Sequence, residues 1–569
     1  MCGIAGIWGN GDIKAMTQIL KHRGPDDEGY YEGSDIKLGI RRLSVIDLET
    51  GHQPIHNEDE TVWVVFNGEI FNYIELRDEL EKKGHRFYTK SDTEVIVHAY
   101  EEYGIDCLQK FIGMFAFAIW DTRKKNLFIA RDRLGEKPLY YYWKNNLFLF
   151  ASEIKSIVRQ IDAEPDLDED FWVFETAVNG KTLFRDIFEL LPASYMIYDG
   201  QKLAIKKYWD IPNGFDTYHK ESYYIEKLRW LIEDAVKLRL RSDVPVGVYL
   251  SGGIDSAAIA CIAKPDKVFS CRYPYGEKYD EYHYAQLLAD YIGAEHFVVQ
   301  PTSQDFKEEF PKIIWHLDQP IATPSPISEF MLARLASKHV KVVLGGQGAD
   351  EIFGGYVRYV IMLEEDRLSK VPILKNYIPL MKFFWSEDMF DDPEKRYFDM
   401  IKRAEPKSNS LINFYKECFR KGSTLIDRMG ICDLNITFPS LITMNDRAAA
   451  AYGLENRTPF LDHRIVEFAF QLPPEFKVKD YQTKYVLRQA MRGIVPDEII
   501  NRQDKKGLAV PIYHWFNNDL KDWVNSLKSS LLKRGIRSPL TLNNRGEFDR
   551  RDYSSISLEI WYRIFIDRR

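Results

Sequence analysis

The chain has 569 residues, of which 45% are hydrophobic and 14% aromatic, enough to build large cores in roughly two to four domains. A net charge of −8, with acids and bases interspersed, argues against nucleic acid as a partner. The longest apolar run, Phe111–Trp120, is too short to span a bilayer, and no basic-then-apolar signal peptide opens the chain. We therefore expect no membrane partner and a cytoplasmic location. Six scattered cysteines without a Cys-x-x-Cys pair argue against a disulfide framework and a structural zinc.

The chain opens with Met1-Cys2-Gly3, which places a cysteine at the second position. If Met1 is removed, Cys2 carries both a thiol nucleophile and a free α-amine, and the amine can take the thiol proton directly or through water. The unperturbed pKa of such an amine, near ~8, suits that role. Taken alone, Cys2 is better explained as a small buried residue at the start of a strand. The segments that follow change that balance.

Short polar groups follow strand-like runs further along the first half. Val62–Phe66 leads directly into Asn67 and Gly68, and an amide side chain beside a glycine N–H is what an oxyanion hole requires. Arg42 can clamp a carboxylate with two hydrogen bonds, and Asp92 can hold an amino group. Each of these residues, taken singly, is also compatible with a surface ion pair or a turn.

The first half predicts a layered α+β arrangement, because short strand-like runs lie close together and helix-like patterns are grouped. The predicted strands are Ile36–Gly39, Val62–Phe66, Phe115–Asp121, Leu127–Arg131, Leu139–Tyr142 and Leu147–Ala151. The predicted helices are Tyr73–Lys83 and Thr93–Tyr103. The polar stretch Asp132–Leu139 is expected at a contact between domains.

A domain boundary is expected near residues 209–220, where Trp209–Gly214 breaks the apolar pattern. Strands and helices then alternate, which predicts a parallel sheet covered by helices on both faces. The predicted strands are Val246–Leu250, Lys267–Arg272, His296–Gln300 and Lys341–Leu344, and the predicted helices include Glu281–Ile292, Gln304–Leu317 and Ser328–Lys338. In such sheets, ligands lie beyond the carboxyl ends of the strands.

The stretch Gly247–Ser256 switches from strand to helix across a glycine-rich turn. Its two adjacent glycines let backbone N–H groups approach an anion, and the N-terminus of the following helix adds partial positive charge. Ser251 and Ser256 offer hydroxyl donors, and Asp255 can hold a Mg²⁺ ion that screens phosphate charge. The alternative is a tight turn capped by a serine or an aspartate.

A second glycine-rich turn, Leu344–Glu351, begins where a predicted strand ends. Its glycines at 345, 346 and 348 let the backbone approach a nucleotide. Asp350 is a natural second Mg²⁺ ligand beside Asp255, and two acids on one metal would neutralise a pyrophosphate leaving group. A simple glycine-rich turn is the alternative here.

The motifs of the first half resemble those of the N-terminal-cysteine, or class II, glutamine amidotransferases. The resemblance is carried by Cys2 and by Arg23–Asp26, Arg42–Ile46, Asn67–Glu69 and Ser91-Asp92. It implies a glutaminase domain at residues 1–208 with an Ntn-type αββα sandwich, in which Cys2 is the nucleophile and Asn67 and Gly68 form the oxyanion hole. The glutamine-binding residues it implies are Arg42, Leu43, Ser44, Val45, Ile46, Asn67, Gly68, Glu69 and Asp92.

Ser251–Ser256 resembles, residue for residue, the pyrophosphate loop of the ATP pyrophosphatases. A class II glutaminase followed by this loop resembles one family across nearly the whole chain, the glutamine-hydrolysing asparagine synthetases. This resemblance implies a second domain at residues 221–569, a doubly wound α/β sheet of the adenine nucleotide alpha hydrolase-like type with a helical C-terminal part. The ATP-binding residues implied are Leu250, Ser251, Gly252, Gly253, Asp255, Ser256, Cys271, Gly345, Gly346 and Lys484, with Mg²⁺ on Asp255 and Asp350.

Further family-like stretches lie at Asp446-Arg447, Gly453–Asp462 and Thr483–Tyr485, which the resemblance places in helical, substrate-facing segments. Lys484 would meet the pyrophosphate there. Residues 360–430 are helix-like and carry no recognised motif. The implied partners are glutamine, ATP and aspartate or another small carboxylate, and the family context allows a homodimer.

The resemblance implies two coupled half-reactions. Cys2 attacks the side-chain amide of glutamine, ammonia leaves, and water hydrolyses the resulting thioester. A carboxylate, most simply that of aspartate, attacks the α-phosphorus of Mg·ATP, and ammonia then displaces AMP from the acyl-adenylate. The resemblance also implies a protected passage for ammonia between the two sites.

Gln347 departs from the family pattern. Aspartate-using members carry an acid at this intermediate-forming position, in Gly-Glu-Gly, and a glutamine cannot take a proton at neutral pH. Residues 322–326 also stand where those members carry a Thr-Thr-x-Arg motif that contacts phosphate. Either another acid, such as Glu351 or Glu455, substitutes, or the acceptor is a sugar acid, a cell-wall precursor or a secondary metabolite. A third hypothesis, a non-catalytic adenylate sensor or scaffold, conflicts with the intact Cys2 and both loops.

Overall fold

A computed structural model describes residues 1–168, 170–277, 279–321, 323–369, 392–503, 509–540 and 550–568. Within these residues, no helix combines the length and the apolar character needed to cross a bilayer. The segments before residue 208 and after residue 220 have different architectures, and residues 208–220 between them form neither helix nor strand.

Two antiparallel sheets, each with six strands among the described residues, face each other in the first half. In chain order the strands are β1 (Gly3–Trp8), β2 (Asp27–Glu32), β3 (Ile36–Arg42), β4 (Ile55–His56), β5 (Val62–Ile70), β6 (Gly113–Asp121), β7 (Asn126–Arg131), β8 (Tyr140–Lys144), β9 (Leu147–Ala151), β10 (Ile187–Glu189), β11 (Ser194–Tyr198) and β12 (Leu203–Lys207). One sheet has the order β10-β8-β9-β1-β3-β2, and the other has the order β12-β11-β7-β6-β5-β4.

Helices cover the outer faces of the two sheets. They are α1 (Ile13–Gln18), α2 (Tyr73–Lys82), α3 (Glu94–Tyr103), α4 (Cys107–Lys110), α5 (Ile154–Val158) and α6 (Phe171–Phe174). Helix α1 packs on β1 and β3, while α3 packs on β4 and β5 of the other sheet. The central strands are therefore buried on both faces, which explains the continuous apolar run in β6. The predicted αββα sandwich is confirmed.

A parallel sheet organises the second half. Its strands are β13 (Val246–Tyr249), β14 (Lys267–Cys271), β15 (Glu295–Val299), β16 (Val342–Leu344) and β17 (Glu455–Arg457), in the order β15-β14-β13-β16-β17. The chain runs outward from β13 to β15 and then returns to β16 on the other side of β13. This reversal opens a crevice at the carboxyl ends of β13 and β16, the expected place for a ligand.

Helices lie on this sheet and continue beyond it. They are α7 (Glu221–Arg239), α8 (Ile254–Ala263), α9 (Tyr282–Ile292), α10 (Ser303–Leu317), α11 (Pro326–Ala336), α12 (Ala349–Phe353), α13 (Val357–Ser369), α14 (Pro393–Ile401), α15 (Asn409–Arg420), α16 (Leu425–Ile436), α17 (Phe438–Ala450), α18 (His463–Phe470), α19 (Tyr485–Ala490), α20 (Asp497–Ile500), α21 (Ile512–Asn517), α22 (Lys521–Lys533) and α23 (Arg550–Trp561). A two-stranded ribbon, β18 (Val478–Lys479) and β19 (Gln482–Thr483), precedes α19. The predicted doubly wound domain with a helical C-terminal part is confirmed.

The predicted strands and helices are present, with ends that differ by a few residues. The prediction that Gly453–Asp462 is helical was wrong for its central residues. Glu455–Arg457 forms β17, because it pairs in parallel register with β16, Val342 opposite Glu455. Residues 360–430 are mostly helical where they are described, with residues 402–408 and 421–424 between the helices, and residues 370–391 of that stretch lie outside the described residues.

Candidate active sites

The Cys2 thiol lies where the two sheets of the first half meet. Cys2 immediately precedes β1, is 8% exposed, and belongs to an apolar cluster with Val65 and Ala116 of the opposite sheet. Its Sγ lies 3.9 Å from the carbonyl oxygen of Leu43. Burial raises the pKa of the thiol. A base close to Sγ is therefore needed to form the thiolate.

An amine lies next to this thiol. Met1 is 1% exposed, and its Sδ accepts a hydrogen bond of 2.8 Å from Lys137 Nζ. Burial lowers the pKa of the Met1 α-amine to about 6. An amine in these surroundings is mostly neutral at pH 7 and can accept a proton, which is the property expected of the Cys2 amine after removal of Met1.

Asn67 and Gly68 lie inside strand β5 and not in a loop after it. Asn67 is fully buried, and neither polar atom of its side chain has a hydrogen-bond partner among the described residues. Gly68 has φ +147°, and a Cβ here would lie 2.0 Å from the carbonyl oxygen of Met114. Only glycine fits this position. The unpartnered amide of Asn67 and the backbone of Gly68 are thus consistent with the predicted oxyanion hole.

Arg42 holds the segment that follows β3 in a fixed shape. Its Nη2 donates hydrogen bonds to the carbonyl oxygens of Ile46 and Asp47, at 3.0 and 2.7 Å. The side chains of Leu43, Val45 and Ile46 pack on Val342 of the second half, and Ser44 N–H donates to Asp26 at 2.9 Å. The predicted contact of Arg42 with a substrate carboxylate stays a prediction.

Glu69 and Asp92 are brought together at the end of β5. Asp92 Oδ2 accepts a hydrogen bond of 3.0 Å from Ile70 N–H. Burial and the neighbouring Asp92 raise the pKa of Glu69 well above its ordinary value, and burial raises the pKa of Asp92 to about 6. Two acids this close share a proton readily, and an incoming ammonium group would be stabilised by their combined charge.

A cavity of about 410 Å³ lies at the carboxyl edge of the parallel sheet. Of the predicted ATP-binding residues, Leu250, Ser251, Asp255, Ser256, Cys271 and Gly346 line it, together with Gln347 and Asp350. The remaining four, Gly252, Gly253, Gly345 and Lys484, lie behind this lining. The two glycine-rich turns touch each other, because a Cβ on Gly346 would lie 3.0 Å from Asp255 Cβ.

The first glycine-rich turn is internally braced. Ser251 N–H donates to Ser256 Oγ at 3.2 Å, and the two hydroxyl oxygens are 3.1 Å apart. Gly252 has φ +76°, and a Cβ there would lie 2.6 Å from Tyr284 Cβ. Gly253 is the N-cap of α8. The loop therefore presents hydroxyls and a helix N-terminus to the cavity, as a phosphate site requires.

Asp255 and Asp350, the predicted Mg²⁺ ligands, converge on one cation. Lys484 Nζ lies 2.7 Å from both carboxylate oxygens of Asp255 and 2.7 Å from Asp350 Oδ1. Two carboxylates that can share one ammonium group can also share a divalent ion, and oxygen donors are those that Mg²⁺ prefers. The residues therefore fit Mg²⁺, and Lys484 joins the two carboxylates.

Gln347 lines the cavity with a side chain whose Oε1 is buried and has no partner among the described residues. The two acids predicted as substitutes lie off the cavity lining. Glu351 is packed below it, where its carboxylate accepts a hydrogen bond from Tyr356, and burial raises its pKa to about 7. Glu455 pairs with Arg457 on the side facing the first half. Whether either acid substitutes for one at position 347 stays a prediction.

The structure adds Glu329, which the sequence analysis missed. It lies in helix α11, whose residues are almost all buried, and its side chain lines the cavity. Burial raises the pKa of Glu329 to about 7. Tyr249, whose hydroxyl has no partner among the described residues, also lines the cavity. A single acid in a mostly apolar helix is the signal that could have identified Glu329.

A buried ion-pair network joins the thiol to the second half. Arg23 Nε donates to the carbonyl oxygen of Cys2 at 2.9 Å, and its Nη1 donates to Glu153 and Asp446, both at 2.9 Å. Asp446 lies in α17, directly after Asn445, which lines the cavity. One turn of one helix thus contacts both sites.

Strand β17 makes a second connection between the sites. Arg457 Nη2 lies 3.3 Å from Glu69 Oε1, and its Nε donates to Glu455 at 2.7 Å. Asn456 points the other way and donates to Asn445 beside the cavity. The stretch Asp132–Leu139 also contacts the second half, since Thr458 donates to Glu136.

An αββα half with a buried thiol, joined to a doubly wound half with two phosphate-type loops, defines a two-site amidotransferase. Family models support each half: a glutamine amidotransferase domain matches residues 1–209, and asparagine synthase matches residues 227–553. The chain belongs to the glutamine-hydrolysing asparagine synthetase family.

Curated relatives match along nearly the whole chain. It is 35% identical to glutamine-hydrolyzing asparagine synthetase 1 of Bacillus subtilis, over 100% of this chain and 98% of that protein. It is 31% identical to asparagine synthetase 3 of the same organism, over 93% of this chain and 90% of that protein. It is also 28% identical to the amidase chyE of Penicillium rubens, over 93% of this chain and 88% of that protein. The protein is therefore an ATP-dependent ligase that amidates a carboxylate with nitrogen from glutamine.

Proposed function

We propose that the protein converts aspartate to asparagine through an aspartyl-adenylate, with release of AMP and pyrophosphate. The observation that best supports this proposal is that helix α17 contacts both sites. Asn445 lines the cavity, and the next residue, Asp446, accepts a hydrogen bond from Arg23, which also donates to the carbonyl oxygen of Cys2. Helix α17 is therefore placed to line a passage for nitrogen released at the thiol. This arrangement supports the protected passage for ammonia.

In the first half-reaction, the neutral amine of the processed Cys2 accepts the thiol proton, and the thiolate attacks the amide carbon of glutamine. The oxyanion is stabilised by the Asn67 amide and the Gly68 N–H. Glu69 and Asp92 hold the α-ammonium group, and the segment 42–46 frames the rest of the substrate. The carbon–nitrogen bond breaks, ammonia takes the proton, and water hydrolyses the thioester to glutamate.

In the second half-reaction, a carboxylate oxygen forms a bond to the α-phosphorus of ATP, and the bond to the bridging oxygen of pyrophosphate breaks. Ser251, Ser256 and Lys484 stabilise the departing phosphates. Mg²⁺ on Asp255 and Asp350 would neutralise charge on the pyrophosphate. Ammonia then attacks the acyl carbon, AMP leaves, and Glu329, with its raised pKa, accepts the surplus proton near neutral pH.

Another carboxylate acceptor is the second candidate, and Gln347 favours it. The cavity lining also carries neutral hydrogen-bonding groups: the amides of Gln347 and Asn445 and the hydroxyls of Thr323 and Ser325. Such a lining suits an acceptor rich in hydroxyl or amide groups. The relative named as an amidase is consistent with variation of the acceptor among similar chains.

An isotope experiment tests the proposal. Aspartate labelled with ¹⁸O in its side-chain carboxylate is incubated with the protein, glutamine, ATP and Mg²⁺, and the nucleotide products are analysed by mass spectrometry. One labelled oxygen is expected in AMP, because the acyl–oxygen bond breaks when ammonia attacks. Formation of ADP, or unlabelled AMP with asparagine, would contradict the adenylate. AMP formation only with other carboxylates would favour the second candidate.

Variants separate the two half-reactions. Cys2→Ala is expected to abolish glutamine-dependent synthesis and to leave ammonia-dependent synthesis intact, while Asp255→Asn spares glutamine hydrolysis and abolishes AMP formation. Cys107→Ala, at a buried cysteine of the same half, is the matched control. Glutamine hydrolysis that survives Cys2→Ala would contradict the assigned nucleophile.

The proposal divides the chain into a glutaminase domain at residues 1–208 and a synthetase domain at residues 221–569. It also retains the predicted homodimer and a cytoplasmic location, the latter because a thiol nucleophile persists in a reducing compartment. Sedimentation velocity of the full chain tests the dimer.

A further inference from the structure

A cluster of two histidines and two glutamates lies in the first half, at helix α3. Glu58, His85, His98 and Glu101 each offer a ligand atom, and these atoms all lie within 4.8 Å of one another. His98 and Glu101 come from one face of α3, three residues apart. Glu58 comes from the turn between β4 and β5, and His85 follows α2. Three separate segments thus converge on one point.

The spacing of these atoms exceeds that of hydrogen bonds. His98 Nδ1 lies 3.6 Å from Glu58 Oε2 and 3.6 Å from Glu101 Oε2. His85 Nδ1 lies 3.8 Å from the other oxygen of Glu58, Oε1. Hydrogen bonds between such groups are about 2.7–3.0 Å long. Ligands bound to zinc at about 2.0–2.1 Å lie roughly 3.4 Å apart at the corners of a tetrahedron. The two 3.6 Å separations at His98 Nδ1 are close to that spacing.

Two of the atoms that face the centre of the cluster are buried and unpartnered. His98 is fully buried, and neither its Nδ1 nor Glu101 Oε2 has a hydrogen-bond partner among the described residues. The other oxygen of each carboxylate is already used: Glu101 Oε1 accepts from Asn57 Nδ2 at 2.7 Å, and Glu58 Oε1 accepts from Arg86 N–H at 2.8 Å. One oxygen of each carboxylate is therefore fixed, and the second is aimed at His98.

A further carboxylate orients the His98 ring from behind. His98 Nε2 lies 3.4 Å from Glu94 Oε1, and Glu94 is itself held by the backbone N–H groups of Tyr88 and Thr89 at 2.8 and 2.7 Å. A carboxylate that takes the N–H of one ring nitrogen leaves the lone pair of the other nitrogen for a metal. This carboxylate–histidine pairing accompanies most histidine ligands of metal ions.

We propose that Glu58, His85, His98 and Glu101 bind a divalent transition metal, and that Zn²⁺ is the ion that occupies the site. Two imidazoles and two carboxylates form a set that suits Zn²⁺ and neutralises its charge. Cysteine spacing argued against a structural zinc in this chain, but these ligands are histidines and glutamates. Four protein ligands close the coordination shell, so the site is structural and not hydrolytic.

The expected role is to fix helix α3. The metal ties this helix to the turn at Glu58 and to the segment at His85. Asp92, placed above in the glutamine site, precedes the first residue of α3 by two positions. Loss of the metal should therefore loosen the position of Asp92 and raise the KM for glutamine, with little change in ammonia-dependent synthesis.

Metal content of the full-length protein is the direct test. The protein is stripped with a chelator, titrated with ZnSO₄ by calorimetry, and separately loaded with Co²⁺ and examined by visible spectroscopy. We expect about one Zn²⁺ per chain at micromolar or tighter affinity, intense bands of four-coordinate Co²⁺, and a higher unfolding midpoint of the loaded protein. A stripped wild-type chain that binds neither ion would overturn the proposal, and this measurement does not depend on any variant folding.

Variants assign the ligands. His98→Gln and Glu101→Gln are expected to lose the bound metal, and Glu94→Gln is expected to weaken binding by about 10–100-fold without abolishing it. His52→Asn is the matched control, because His52 forms an exposed histidine–carboxylate pair with Asp27 in the same half. Unchanged metal content in His98→Gln, or equal loss in His52→Asn, would refute the assignment.

Discussion

The bidentate pair between Arg23 and Asp446 should be among the strongest single contacts between the two halves. Arg23 is fully buried and Asp446 is 3% exposed, and their two hydrogen bonds measure 2.9 and 3.2 Å. Opposite charges about 4 Å apart attract by about 4 kcal/mol at an effective dielectric constant of 20. Removing one partner of such a buried pair typically costs about 3–5 kcal/mol, because the other charge is left behind. We therefore expect Arg23→Gln and Asp446→Asn each to lose about 3 kcal/mol of stability.

A double-mutant cycle measures this coupling. Urea unfolding of wild type, both single variants and the double variant is followed by tryptophan fluorescence and by circular dichroism, since the two halves need not unfold together. The double variant should lose much less stability than the sum of the single losses, by about 2–3 kcal/mol. Arg185→Gln, which breaks the exposed pair with Glu164, is the control and should change stability by no more than about 0.5 kcal/mol. Additive effects of Arg23→Gln and Asp446→Asn would refute the reasoning.

Two further predictions concern the cavity. Glu329 has a pKa of about 7 in the folded protein against an ordinary value of 4.5. Between these two values the folded state retains a proton that the unfolded state loses. The free energy of unfolding should therefore fall by about 3 kcal/mol as the pH rises from 4.5 to 7. Glu329→Gln should flatten this dependence of stability on pH in thermal unfolding scans, whereas Glu308→Gln on the surface should not. An unchanged pH dependence in Glu329→Gln would show that Glu329 is not buried as described. Lys484→Ala should raise the KM for ATP at least tenfold and leave glutamine hydrolysis unchanged, because Lys484 Nζ joins Asp255 and Asp350 at the phosphate end. Lys479→Ala, at a partly exposed lysine of the ribbon that precedes Lys484, is the control, and equal KM values for both variants would remove Lys484 from the nucleotide site.

Local patterns were sufficient for the framework of both sites. The switch from strand to helix at Ser251–Ser256 is specified by adjacent residues, and the parallel order of the strands then places this loop and the second glycine turn at one edge. The order of the Cys2 and Asn67 motifs along the chain likewise predicted the architecture of the first half. These features depend on residues that are close in sequence or on rules of sheet topology.

Features that depend on packing between distant segments were not predictable. Glu329 reaches the cavity because α11 packs beside β14, which no local pattern indicates. The three residues of β17 are too few to show a strand period, and only pairing with β16 makes them a strand. The four residues of the metal cluster come from three segments, and their convergence is visible only in the folded chain.

Strand β17 has a consequence for how the chain can vary in length. Side chains alternate along a strand, so Glu455 and Arg457 face Glu69 while Asn456 faces Asn445. Insertion or deletion of one residue here would turn the guanidinium toward the nucleotide and the amide toward the thiol site, and both sites would fail together. This three-residue strand is therefore expected to be a place where natural and engineered sequences tolerate substitutions far better than changes in length.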